Sequence, residues 1–327
     1  MSARATILGG GPYGVTLAWL AANAGHQVVL HTSREKNAER LAKDRTLPST
    51  PGVTLPESVL VTSDLALALD RELLVLAVPP RAARAFLHRV AEHIRPGHLV
   101  VHVAKGFDDR GKPVSTAIEE ETCAIRTGVV GGPLVPSELW AGEDTAAVVA
   151  SRFQSVVDAV TKLLSSPHLR VYGSLDLVGV ELGGAMRTPV ALASGLLRGV
   201  GRGSSSAAVL QTRAIVEASR LALALGGRPE SLSGLSGIGD WMVVAQNESD
   251  GVVQAGVRLT QGKQLEHDEA ESRVRALHAL AREHQVEMPV VEGVIRVLDG
   301  EPMASVLGEL MSRSSRPEWD GVGGGRR

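Results

Sequence analysis

The chain has 327 residues, more than one hydrophobic core ordinarily serves, so two domains of roughly 150 residues each are expected. With 44% hydrophobic and 21% charged residues it lies among packed globular proteins, which excludes a mainly disordered, collagen-like or coiled-coil architecture. Its formal charge of −2 supplies no general field for a polyanion, so no nucleic-acid partner is expected and any anion has to be bound locally.

The single cysteine, Cys123, excludes an intramolecular disulfide and a thiolate-rich metal site, and fits a reducing compartment with the cytoplasm as default. The apolar N-terminal stretch is interrupted by Gly9, Gly10, Gly11 and Pro12, which spoils a signal peptide, and no run approaches the length of a membrane span.

In chain order, strands are expected at Thr6 to Leu8, Gln27 to Leu30, Leu73 to Val78, Leu99 to Val103, Thr127 to Val130 and Ala146 to Ala150. Each is short and mostly continuous in apolar character, as strands covered on both faces should be. Helices are expected between them at Gly14 to Ala24, Asn37 to Ala42 and Arg81 to Ile94. This α/β pattern predicts a Rossmann-type doubly wound parallel sheet as a first domain over residues 1–174. From Leu175 the strand signal fades, and helices at Leu177 to Leu197, Ala207 to Leu225, Asp268 to His284 and Pro302 to Met311 predict a C-terminal all-α domain over residues 175–327. Ser204 to Ser206 are expected to cap the second of these helices, Gly226 with Gly227 to stop it, and Gly321 to Arg327 to form a frayed tail.

Gly9-Gly10-Gly11-Pro12-Tyr13-Gly14 falls between the first strand and the first helix, so the GxGxxG pattern stands where phosphate binding needs it. Gly9 allows the tight turn, Gly11 lets backbone amides approach a diphosphate, and Gly14 lets the helix pack close to the strand. The helix N-terminus adds positive potential. Pro12 and Tyr13 belong to the same cofactor-binding set. About twenty residues on, where an NAD site presents a carboxylate to the ribose, the chain reads His31-Thr32-Ser33-Arg34. Ser33 and the planar fork of Arg34 suit a ribose 2′-phosphate, so NADP is favoured and NAD stays open.

With that turn in place, the sequence resembles the bacterial NAD(P)-dependent glycerol-3-phosphate dehydrogenases over nearly its whole length. The residues that carry the likeness are Gly9 to Gly14, Ala77-Val78-Pro79, Ala104-Lys105-Gly106, Gly132-Pro133 with Glu138, Val180 to Ala185, Gly237 to Asp240 and Val286-Glu287-Met288-Pro289. The resemblance implies a cleft between the two domains, usually a homodimer, and reduction of dihydroxyacetone phosphate by NAD(P)H or its reverse. It adds Pro79 and Glu269 to the cofactor-binding residues, and implies Gly132, Glu138, Thr212 and Arg213 as substrate contacts and Lys105 and Asp240 as catalytic groups.

Two departures stand out. The family's catalytic lysine after GGAV is matched by Arg187, which stays protonated and so offers a fixed charge without proton exchange. Lys105 is then the proton-linked group, with Arg187 the fixed positive charge. The family's phosphate-holding Arg-Asn pair is matched by Gly251 and Val252, beside Glu248 and Asp250, two carboxylates that repel a phosphate if they face the cleft. Two alternatives stay open: a dehydrogenase for a non-phosphorylated 2-keto compound, and a catalytically decayed NADP-binding regulatory module. The ten histidines show no metal-ligand spacing, and the serine clusters lack a nucleophile elbow. His31 is expected in a solvated loop, and Trp241 borders the cleft or packs in the core.

Overall fold

The computed structural model describes residues 2–50, 52–263 and 268–312, so the expected tail at Gly321 to Arg327 lies outside the described residues. The chain divides into two compact units, Met1–Leu177 and Val178–Arg327.

In the first unit eight strands form one sheet: β1 (Arg4–Leu8), β2 (Gln27–His31), β3 (Leu60–Thr62), β4 (Leu73–Leu76), β5 (Leu99–His102), β6 (Arg126–Gly131), β7 (Thr145–Ala150) and β8 (Leu169–Ser174). Their spatial order is β3-β2-β1-β4-β5-β6-β7-β8. β1 to β6 are parallel, and Leu8 stands level with His31 on one side and Leu76 on the other, so these carboxyl ends share one edge. The expectation of a parallel sheet needs one correction, because β7 runs antiparallel to β6 and β8 then runs parallel to β7. The β6–β7 connection holds only the six-residue α6 (Pro136–Ala141), stopped by Gly142 at φ +77°, which is short for a crossover helix.

Alternate strand residues divide between two cores, as the period of two requires. Ile7, Val28, Leu30, Val75, Val101 and Val149 pack in one, with α1 (Pro12–Asn23) and α7 (Gln154–Leu164). Leu8, Val29, Leu74, Leu76 and Val100 pack in the other, with α4 (Pro80–Val90) and α5 (Val114–Glu121). Two further helices, α2 (Glu35–Asp44) and α3 (Leu65–Ala68), belong to this unit, and Thr6 ties β1 to α3 by donating its hydroxyl to the Ala68 carbonyl at 2.5 Å.

The second unit contains α8 (Leu177–Gly199), α9 (Ser204–Ala224), α10 (Asp240–Gln246), α11 (Gly251–Thr260), α12 (Asp268–Glu283), α13 (Pro289–Leu298) and α14 (Met303–Ser312), and no strand among its described residues. Gly226 stops α9 at φ +79° as expected. The serine caps do not form: Gly203 is the N-cap, without a side-chain bond, and the three serines lie inside the first turn. α8 and α11 touch backbone to backbone, since a Cβ on Gly195 would stand 2.0 Å from the Val253 carbonyl oxygen and one on Gly256 would stand 2.4 Å from that of Leu192.

Candidate active site

The glycine turn connects β1 to α1 at the shared carboxyl edge of the sheet. Gly9 has φ +137°, and a Cβ there would lie 2.3 Å from the Ala77 carbonyl oxygen, so the turn is sealed against the end of β4 by the absence of a side chain. Its N–H donates to the His31 carbonyl at 2.9 Å, which fixes the turn to β2 as well. A Cβ on Gly14 would meet the Gly9 carbonyl oxygen at 1.8 Å, so α1 lies close against the turn. Gly11 N-caps α1 without a side-chain bond, and a Cβ built on it meets nothing within 4 Å. The backbone at this helix terminus is thus open to an approaching anion, and the residues fit a dinucleotide diphosphate. Pro12 occupies N1, where its missing N–H costs no helical bond. Tyr13 is half-buried beside it. Thr16 donates to the Pro12 carbonyl at 2.8 Å and accepts from Trp140 Nε1 at 3.0 Å, which locks this first turn to α6.

Ser33 and Arg34 follow β2 on the surface, Arg34 as the N-cap of α2, and Pro79 is the exposed N-cap of α4. His31 corrects an expectation: it ends β2, is 2% exposed, and lies 6.0 Å from the Phe86 ring centre to centre. Burial, with Arg89 nearby, lowers its pKa, so it is a neutral core residue.

Lys105 is half-buried in the loop after β5 and donates from Nζ to the Gly132 carbonyl at 3.0 Å. Gly132 has φ +111°, and the turn after β6 thereby offers its carbonyl to the lysine. Two of the segments singled out in the sequence are therefore brought together. Glu138 is exposed on α6.

In the second unit Arg187 lies on α8 between two carboxylates. Its Nη2 donates to Asp250 Oδ2 at 3.0 Å, and its Nε stands 3.6 Å from Asp240 Oδ1. Gly183, one turn earlier, makes this possible: a Cβ there would meet the Ser236 carbonyl oxygen at 2.7 Å, so α8 lies close against the turn that leads into Asp240. Trp241 is a core residue, fully buried and donating from Nε1 to the Gly183 carbonyl at 2.8 Å.

Sequence reasoning missed the partnership of Asp250. Its second oxygen caps α11 by accepting from the Val252 N–H at 2.9 Å and the Val253 N–H at 3.3 Å, so one side chain fills the anion-attracting helix terminus and neutralises Arg187. Glu248 is paired with Arg198 at 2.5 Å. Neither carboxylate is a bare charge. The signal for the cap was present in Asp250-Gly251 before an apolar run, whereas its partner lies 63 residues away in sequence.

Of the other expected residues, Thr212 donates its hydroxyl back to the Ala208 carbonyl at 2.9 Å. Arg213 lines a cavity of about 720 Å³ with Arg220, Glu217, Leu196 and Val290. Glu269 is exposed in the first turn of α12 and paired with Arg273. Among the described residues no group of histidine, cysteine and carboxylate side chains is arranged to hold a metal, and no helix is long and apolar enough to cross a membrane.

An open glycine turn at the carboxyl edge of a doubly wound sheet is the arrangement of a dinucleotide-binding fold. The family profile described as NAD-dependent glycerol-3-phosphate dehydrogenase N-terminus matches residues 4–157, and its C-terminus counterpart matches residues 176–307. The glycerol-3-phosphate dehydrogenase [NAD(P)+] of Desulfitobacterium hafniense is 34% identical over 98% of this chain and 94% of the relative, and that of Parvibaculum lavamentivorans 33% over 96% and 98%. The crystal structure of the Coxiella burnetii glycerol-3-phosphate dehydrogenase has a TM-score of 0.86 at 26% identity, covering 95% of this chain and 99% of that one. The yeast enzyme, at 20% identity and a TM-score of 0.82, shares the fold. The chain belongs to the NAD-dependent glycerol-3-phosphate dehydrogenase family.

Proposed function

We propose that this oxidoreductase transfers a hydride between NAD(P) and a small CH–OH or carbonyl carbon, in glycerol 3-phosphate and dihydroxyacetone phosphate or a related alcohol and ketone. The observation that carries the reading is the open turn from Gly9 to Gly14 at the N-terminus of α1. Residues 1–174 bind the dinucleotide and residues 175–327 the substrate, in a cytoplasmic homodimer like that expected of the family. When bound, the nicotinamide supplies or accepts the hydride.

The chain's own residues do the rest. Backbone amides of Gly11, Tyr13 and Gly14 hold the diphosphate, while Ser33 and Arg34, exposed beyond β2, favour NADP by receiving a 2′-phosphate. Pro79 and Glu269 complete the cofactor contacts. Lys105, held at Nζ by Gly132, gives a proton to the carbonyl oxygen as it becomes an alcohol and takes it back in the reverse direction. Arg187, permanently protonated, is a fixed charge oriented by Asp240, and Gly132, Glu138, Thr212 and Arg213 contribute substrate contacts.

The test is NADPH oxidation with dihydroxyacetone phosphate by the wild type and by Lys105→Met. A loss of kcat by about 100-fold or more with NADPH affinity retained is expected. Wild-type turnover in the variant overturns the role of Lys105, and tight NADPH binding without turnover on any carbonyl by the wild type favours the regulatory module instead.

One observation favours a second reading, a substrate without a phosphate dianion. Asp250 already occupies the α11 terminus next to Gly251 and Val252, which offer no cation, so a carboxylate fills a helix end that would otherwise attract an anion. On that reading kcat/KM for dihydroxyacetone exceeds that for its phosphate, and Asp250→Asn narrows the gap. A wild-type preference for the phosphate ester excludes it.

A further inference from the structure

The loop that carries Lys105 is anchored by an ion cluster built around two buried side chains, Arg84 and Asp108. Three residues after the lysine, Asp108 has a fully buried side chain. Its Oδ1 accepts from the backbone N–H groups of Arg110 at 2.9 Å and Lys112 at 2.8 Å, and its own N–H donates to the Lys112 carbonyl at 2.8 Å, which closes the loop on itself. Its Oδ2 accepts from Arg84 Nε at 2.7 Å. Arg84 is 3% exposed on α4, the helix that opens directly after Pro79. Its Nη1 reaches Glu121 at 2.7 Å and Glu120 at 2.8 Å, both at the end of α5.

One guanidinium therefore joins three pieces: the cofactor-side corner where β4 turns into α4, the Lys105 loop, and the helix that follows that loop. Between Lys105 and Asp108 lie Gly106, at φ +128°, and Phe107, which is buried. The short span leaves little slack, with Asp108 fixed at one end and the lysine Nζ on Gly132 at the other.

We propose that Arg84 is a positioning residue for Lys105, holding the lysine loop in register with the β4–α4 corner through Asp108. This rests on the proton-transfer role given to Lys105 above. An apolar pair fills such a space without the desolvation of charges, whereas a guanidinium bound through Nε to one loop and through Nη1 to a helix fixes direction as well as distance. Catalytic geometry is sensitive at that scale, because a displacement of about 1 Å costs on the order of 100-fold in rate.

The experiment compares Arg84→Met, Lys105→Met and the double variant, each assayed as the full chain at a temperature where circular dichroism shows it folded. For Arg84→Met we expect kcat to fall by about 10- to 100-fold with the KM for NADPH within about twofold of wild type. The double variant should be no slower than Lys105→Met alone, since Arg84 acts through the lysine. In Arg84→Ala, added methylguanidinium should recover part of the lost kcat. A normal kcat in Arg84→Met, or losses that multiply in the double variant, overturns the proposal and leaves Arg84 a purely structural tie. If Arg84→Met does not fold, Asp108→Asn serves in its place, because it keeps an acceptor for the two loop N–H groups while removing the charge that Arg84 meets. A Lys105→Met enzyme with wild-type turnover removes the proton-transfer reading itself, and this proposal with it, which separates the two failures.

Discussion

A methyl group at position 14 would have to share space with the Gly9 carbonyl oxygen, 1.8 Å away, so the close seating of α1 on its turn depends on one missing atom. In Gly14→Ala the helix start has to move or the turn has to open, and either displaces the amides offered to a diphosphate. We expect calorimetry to show NADPH affinity reduced by at least about tenfold, roughly 1.4 kcal/mol, with the sheet intact. Unchanged affinity would mean that the diphosphate is held elsewhere. This residue was legible in the sequence because its requirement is local: spacing, a preceding strand and a following helix suffice. Arg187 was legible as a substitution, while its ion pairs were not, since Asp240 and Asp250 reach it only through helix packing. His31 was misjudged for a similar reason: a polar residue at a strand end looks solvated until Phe86 and the surrounding core cover it.

Helices announced themselves where apolar spacing and composition agreed, as in α8 and α12, and were missed where β-branched residues obscured the period. α7 buries Val156, Val157, Val160, Leu163 and Leu164, a regular helical stripe written largely in valine. α10, α11 and α13 are short, from seven to ten residues, and their boundaries depend on caps more than on length. β8 alternates between buried and exposed positions, unlike the continuous strands inside the sheet, because it lies at the edge. α9 and α13 are joined by a buried carboxylate: Glu217 accepts from the Val290 N–H at 2.9 Å and 3.1 Å through its two oxygens. Burial pushes its carboxyl up to about 8 from an ordinary 4.5, outweighing the N–H groups of Val290 and Val291 and the nearby Arg213. Because the folded-state value is the higher one, this contribution to stability is fully present below the unfolded-state value and is lost as pH rises through about 8. Glu217→Gln should therefore gain in Tm relative to wild type between about pH 5.5 and about pH 8.5, followed by thermal melts at each pH. A difference that stays constant across that range would contradict the shift.

For the molecule as a whole, a ligand that binds only the folded chain raises its stability by mass action, about 2.7 kcal/mol at 100 times Kd. NADPH at that excess should raise Tm by a few degrees, NADH at the same concentration by less, and NADPH by no more than about half as much in Gly14→Ala. Equal shifts from both nucleotides would remove the role given to Ser33 and Arg34. The α/β-then-α division was readable from the change in hydrophobic pattern at Leu175, but the sheet's one reversal was not, since strand direction leaves no mark in composition.

That reversal divides the strand exits of the sheet between two rims. β1 to β6 deliver their exits, with the glycine turn, Lys105 and Gly132, to one rim, whereas β7 and β8 deliver theirs to the other. On the proposed reading the exposed Arg152 stands at the rim opposite the diphosphate-binding turn, so Arg152→Ala is expected to leave NADPH turnover unchanged.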